Sequence, residues 1–198
     1  MPTRYPSEPS TRERVIAAAA ELTAESGWAS LTMGKLATRA GVSRQTVYNE
    51  IGTKPELGEV LVLTELAGFL QAVEAAFDAH PHDLVAAVRA AAYDVLVEVL
   101  DKPILQAIVG ASHGAETELL PLLTTQAGGL MDLAKSAIRE RTGRYDLDLP
   151  QYARDAALDT IVRLVFSHIM QPAPDAARAA DDIAWVTGRM LGLAAPAR

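Results

Sequence analysis

The chain has 198 residues, 49% of them hydrophobic but only 5% aromatic, and carries a net charge of −7 at neutral pH. That length supports a real core in one large or two small domains, and the apolar content is mostly Ala, Leu, Val and Ile. The absence of cysteine excludes disulfides, thiolate metal sites and cysteine nucleophiles, and suits a reducing compartment.

Residues 1–9, with Pro2, Pro6 and Pro9, read as a flexible arm. The opening MPTRYPSEPSTRER has no apolar run behind its charges, so a signal peptide is not expected. No stretch offers the ~20 uncharged apolar residues that span a bilayer. The expectation is a soluble, cytoplasmic protein with no membrane partner. Ser10-x-x-Glu13 is a capping-box pattern that opens a first helix, closed by Ser26-Gly27, with Val15, Ala18, Ala19 and Leu22 as its inner stripe. Thr32 caps a short second helix over Met33 to Arg39. Ala40-Gly41-Val42 supplies a turn in which Gly41 takes the left-handed backbone that ends a helix. Ser43 caps a third helix over Arg44 to Glu50. Thr53-x-x-Glu56, with Pro55 in the first turn, opens a long fourth helix running to about His80, roughly 40 Å at ~1.5 Å per residue.

Pro81 marks the next boundary, and Leu84, Val88, Ala91, Ala92, Val95 and Val99 form a fifth helix. Pro103 opens a short one to about Ser112, and HGAETE reads as a loop. Leu119 to Arg141 reads as a long helix, interrupted or flexed at Gly128-Gly129 and stopped by Gly143. Asp148-Leu-Pro150 starts another, with Leu158, Ile161, Val162, Val165 and Ile169 on one face. Pro172 and Pro174 precede a last helix bearing Ile183, Val186, Met190 and Leu193. No strand-like alternation persists, so the fold class is all-α with about nine helices.

The third helix offers Arg44, Gln45, Thr46, Tyr48 and Asn49 on its outer side, while Val47 faces the core. Two short helices joined by a tight turn, the second carrying such side chains, make a helix-turn-helix with a recognition helix, which implies binding to double-stranded DNA. Arg44 suits guanine and Gln45 suits adenine in the major groove. Thr46 suits a thymine methyl or a phosphate. Tyr48 and Lys54 suit phosphates, Lys54 with help from the start of the fourth helix, and Thr32 and Lys35 add phosphate contacts. Ser43 completes the set as the cap. The competing reading is a solvated polar helix. Charge is uneven: residues 1–55 hold seven basic and five acidic side chains, net +2, and the remainder net −9. A mildly positive head on an acidic body favours a specific reader over a general coating protein.

The run from Ser10 through Leu31-Thr32, Ala40-Gly41-Val42-Ser43, Thr46-Val47-Tyr48 and Lys54-x-Glu56-Leu57 resembles the amino-terminal domain of the TetR family of bacterial transcriptional regulators. The departure lies at Glu50-Ile51, where that family usually carries a His or aromatic pair. Ile51 still fills a core slot, and Glu50 is assigned no DNA contact. The resemblance implies a DNA-binding domain over residues 10–55 and a ligand-binding, dimerising helical bundle over 56–198. It implies a homodimer released from a pseudo-palindromic operator by a small hydrophobic effector. The candidate lining is aliphatic: Leu66, Phe69, Leu70, Val95, Val99, Leu105, Ile108, Val109, Leu123, Leu130, Met131, Ile161 and Val165. That composition favours a long aliphatic effector such as a fatty acid, acyl derivative or alkane. Gln106, His113 and His168 are candidates for its polar head. Simple mutual packing of these side chains is the even alternative. Phe166, Trp185 and Met190 are the candidates for the dimer interface.

No cofactor and no metal site is expected. An enzyme would need a nucleophile with a base, or spacing such as H-E-x-x-H, and neither occurs. A helical lipid-binding module without DNA reading remains the runner-up.

Overall fold

A computed structural model describes residues 9–112 and 127–193. Among them every regular element is a helix: α1 Thr11–Ser26, α2 Met33–Ala40, α3 Arg44–Ile51, α4 Lys54–Ala79, α5 Leu84–Leu100, α6 Pro103–Ser112, α7 Ala127–Thr142, α8 Gln151–Met170 and α9 Ala176–Leu191. The all-α expectation holds. Of the described residues, 9–63 and 103–112 form one compact unit, and 64–102 and 127–193 a second. The arm to Glu8, the HGAETE loop with His113, and Leu123 lie outside the described residues.

Local chemistry sets the helix ends in the first unit. The Ser10 hydroxyl oxygen accepts from the Glu13 amide while the Ser10 amide donates back to the Glu13 carboxylate, completing the box. Hydrogen bonding from Ser10 to the carboxylate, from its backbone amide first and its hydroxyl second, holds the Glu13 carboxyl below its ordinary value. At the fourth helix the Thr53 amide and hydroxyl both donate to one Glu56 oxygen, at 2.6 and 2.7 Å. Val15, Ala19, Trp28, Leu31, Leu36, Val47 and Leu57 are buried in the core of this unit. Helix α1 packs on α2, α3 and α6.

In the second unit α5 packs on α9, α8 lies against both, and α7 lies against α8. Ala87, Ala180 and Ala184 are fully buried, and such small side chains let α5 and α9 approach closely. The Tyr145 hydroxyl donates to the His80 carbonyl at 2.8 Å, and its ring meets Phe77 edge-on at 6.0 Å. Arg144 pairs with Asp78 at 2.7 Å, and Arg141 pairs with Glu74. The end of α4 is thereby fastened to the end of α7 and to the segment that follows it.

Helix α7 is described from Ala127, with Gly128 and Gly129 in its first turn, and the expected stretch before it lies outside the described residues. One expectation is corrected here. Helix α4, with a mean hydropathy of 1.6 over its most apolar stretch, is long and apolar enough to cross a membrane by length and composition. Counting uncharged residues concealed this, because Glu59, Glu65 and Glu74 punctuate the helix. Glu65 pairs with Lys102 at 2.9 Å and raises the pKa of that lysine, and Glu74 pairs with Arg141. Glu65 is thereby tied to a residue just after α5, and Glu74 to the end of α7, all within the second unit.

Candidate nucleic-acid interface

The turn between α2 and α3 is built from backbone bonds that fit one residue type. Gly41 sits at φ 66°, ψ 38°, the left-handed region that glycine enters without a Cβ clash. Its amide donates to Thr38, and the Val42 amide donates to Ala37 at 3.0 Å, closing α2. Either side of the turn is capped by a hydroxyl. The Thr32 oxygen accepts from the Lys35 amide, and the Ser43 oxygen accepts from the Thr46 amide at 3.0 Å. Below α3, Val47 is completely buried and Ile51 nearly so. Period 3.6 then turns residues 44, 45, 48 and 49 outward.

The predicted contact residues fall into groups with different freedom. Arg44, Gln45, Tyr48 and Asn49 are exposed, Tyr48 at 43%. The Gln45 amide donates to the Asn49 carbonyl oxygen at 2.9 Å, so these two move as a pair. Thr46 is half-buried, its hydroxyl 2.9 Å from that of Ser43. Lys35 is exposed but turned back onto the Ser30 carbonyl at 2.9 Å. The Lys54 ammonium lies 5.1 Å from the centroid of the Trp28 ring, a cation–π contact that holds it at the start of α4. Among the basic side chains described in residues 9–55, only Arg44 makes no hydrogen bond, ion pair or ring contact within the described residues. It stands at the first position of α3 with its whole guanidinium fork available.

Several residues that shape this surface escaped the sequence reading. Trp28 is buried to 1% under Lys54, and its Nε1–H finds no acceptor among the described residues. Arg39 is clamped by Glu25 at 2.6 Å and Glu21 at 3.2 Å, fixing α2 to α1. Its hydrogen bonds raise the pKa of the guanidinium and lower that of Glu25. Arg14 donates to the Ala40 carbonyl at 2.6 Å, and Arg12 donates to the Glu50 carbonyl. A tryptophan between two helices was the only visible signal for Trp28. Nothing in local sequence points to the arginine contacts, which bridge residues 26 and 38 apart.

The candidate effector residues are distributed between the units. In the second unit Phe69, Val95 and Val99 are buried, while Leu66, Leu70, Leu130, Met131, Ile161, Val165 and His168 are half-buried. In the first unit Leu105 and Ile108 are buried, Val109 is half-buried and Gln106 is exposed. A cavity of about 120 Å³ in the second unit is lined by Phe77, Leu84, Val88, Leu158, Ile161 and Leu191, with Arg139, Gln151, Arg154 and Asp155 among its polar neighbours. Of the expected lining it includes only Ile161. Val99 and His168 instead border a cleft of about 10 Å³ beside Leu96 and Leu100. At the proposed dimer surface Trp185 is exposed at 37% with Arg189 over its ring, while Phe166 and Met190 are half-buried. Among the described residues no group of three His, Asp or Glu side chains is placed to hold a metal ion.

A capped helix-turn-helix presenting an exposed polar helix defines a DNA-binding transcriptional regulator. Residues 15–59 match the tetR family of bacterial regulatory proteins, and residues 83–189 match the bacterial tetracyclin repressor C-terminal domain. The chain belongs to the TetR family. It is 27% identical to the HTH-type transcriptional regulator AlkX of Mycobacterium tuberculosis over 163 residues, covering 81% of this chain and 75% of that protein. Its fold resembles AlkX of Dietzia sp. strain DQ12-45-1b, a TetR-family repressor implicated in biodegradation of n-alkanes, with a TM-score of 0.75, 24% identity and coverage of 90% and 96%. The repressor QsdR of R. erythropolis is also similar in fold, with a TM-score of 0.58, 17% identity and coverage of 95% and 97%.

Proposed function

We propose that the chain is a homodimeric repressor that reads a pseudo-palindromic operator and is released from it by an aliphatic effector. The observation that carries the DNA half of this reading is Arg44, exposed at the start of α3 and without a partner among the described residues. In this reading Arg44 and the Gln45–Asn49 pair address base edges. Thr32, Lys35, Ser43, Thr46, Tyr48 and Lys54 address the backbone. Two subunits joined through α8 and α9, with Phe166, Trp185 and Met190 at the joint, would present recognition helices about 34 Å apart, one turn of DNA.

The effector half rests on two supports. The similar regulator from Dietzia is implicated in n-alkane biodegradation. The second-unit cavity is walled mainly by aliphatic side chains. At about 120 Å³ it approaches the size of an engineered 150 Å³ cavity that binds benzene, and so would take only the tail of a long chain. The remainder would leave past Arg139 and Gln151.

The test is fluorescence anisotropy with duplexes covering the DNA that flanks its own gene, followed by addition of alkanes and fatty acids of increasing length. A discrete, salt-sensitive complex is expected, weakened about 5- to 150-fold by Arg44→Ala, equivalent to roughly 1–3 kcal/mol. Release should improve with chain length. Failure to bind any flanking duplex would overturn the operator reading, and indifference to every aliphatic compound would overturn the effector reading.

A further inference from the structure

Arg12 and Arg14 are two of the seven basic side chains in residues 1–55, and both are engaged within the protein. At 100° per residue the two are about 200° apart around α1, one on either side of the buried Val15. From there they reach in different directions. Arg14 donates to the carbonyl of Ala40, the last residue of α2. Arg12 donates to the carbonyl of Glu50, one residue short of the end of α3.

Both carbonyls lie in a last turn, where the helix supplies no amide to meet them. At the end of α2 the amides of Gly41 and Val42 are taken by Thr38 and Ala37, which leaves Ala40 to Arg14. At the end of α3 the amide of Gly52 is taken by Tyr48, which leaves Glu50 to Arg12. Helix α3 has no basic side chain in its own last turn, and the one in α2, Arg39, is held by Glu21 and Glu25. Arg12 and Arg14 therefore supply the positive charge that a helix C-terminus favours. Arg14 also lies against the turn itself, since a Cβ placed on Gly41 would stand 3.4 Å from its Nη2.

We propose that Arg12 and Arg14 are positioning residues for DNA reading. Each holds one C-terminus of the helix-turn-helix pair against α1, and together they fix the direction in which α3 presents Arg44 and Tyr48. They act through α2 and α3, and they neutralise no phosphate.

Two measurements on the full chain test this. The first is hydrogen exchange in the free protein, which needs no knowledge of the operator. Arg12→Ala should raise exchange in residues 47–52 by about fivefold and leave 33–40 unchanged, while Arg14→Ala should do the reverse. The second is anisotropy at several salt concentrations with a flanking duplex that the wild type binds. Arg12→Ala should weaken binding by about tenfold with an unchanged slope of log K against log salt. Arg12→Gln, which keeps a donor without the charge, should fall between, again at the wild-type slope, and serves if the alanine variant does not fold. A slope reduced by about one per subunit would show a lost phosphate contact and overturn the proposal. Unchanged exchange in residues 47–52 would overturn it equally, whether or not the duplex is bound.

Discussion

Replacing Gly41 by alanine tests whether the left-handed turn governs the stability of the first unit. Residue 41 sits at φ 66°, ψ 38°, where an L side chain costs about 1–2 kcal/mol against its own carbonyl. The added methyl would also meet Arg14 Nη2 at 3.4 Å, so the guanidinium must yield and its 2.6 Å bond to Ala40 loosens. Alanine is less free than glycine in the unfolded chain, which returns about 0.4–1 kcal/mol. The net expectation is a loss of about 1 kcal/mol. Gly34 supplies the control, because it lies within α2 with helical backbone and the nearest atom to its added methyl is Thr32 Oγ1 at 3.9 Å. Gly34→Ala should therefore gain about 0.5 kcal/mol. Urea unfolding followed by circular dichroism reads both as shifts in midpoint at constant slope. A neutral or stabilising Gly41→Ala, or two variants that shift in the same direction, would refute the reasoning.

Two further expectations follow from the ion pairs and buried hydroxyls. The Glu25 carboxyl is held below its ordinary value of 4.5 by its hydrogen bonds from Arg39, so its contribution to the α1–α2 contact is complete above that value and disappears as pH falls through the lowered one. A carboxyl NMR titration should place its midpoint under 4.5, and Arg39→Ala should return it there; a wild-type midpoint at or above 4.5 would contradict the clamp. Tyr145→Phe removes the 2.8 Å bond to the His80 carbonyl and should cost about 1 kcal/mol in denaturant midpoint. Burial raises the Tyr145 hydroxyl above 10, so its stabilising neutral form persists below 10 and is lost as pH climbs through the raised value; phenolate absorbance should show one late-titrating tyrosine that the Phe variant lacks.

The first unit was legible because its signals are local. Ser10, Thr32 and Ser43 each accept from an amide three residues ahead, and Gly41 takes the one backbone region that sequence reserves for glycine. Helix period alone then sorted Val47 from Tyr48. The arginine contacts to Ala40 and Glu50 were not legible, since a long side chain reaches a carbonyl dozens of residues away without leaving any trace in spacing. The second unit read well as helices and poorly as a site. An aliphatic stripe states that a face is buried and does not state against what, so Leu105 and Phe69 entered one list although they belong to different units. Leu84 and Val88 line the cavity and belong to the stripe of the fifth helix, but the stripe marked them as buried without marking the open space they border.

The chain has two tryptophans, one in each compact unit. Trp28 is sealed beneath Lys54, whereas Trp185 is open to solvent under Arg189, so their emission should differ in colour and in access to a quencher. In a lone subunit iodide should extinguish the outer indole, whereas pairing through α9 would cover it, so quenching reports assembly while the inner indole keeps shining. Its blue light would follow the DNA-reading half by itself, with no dye attached.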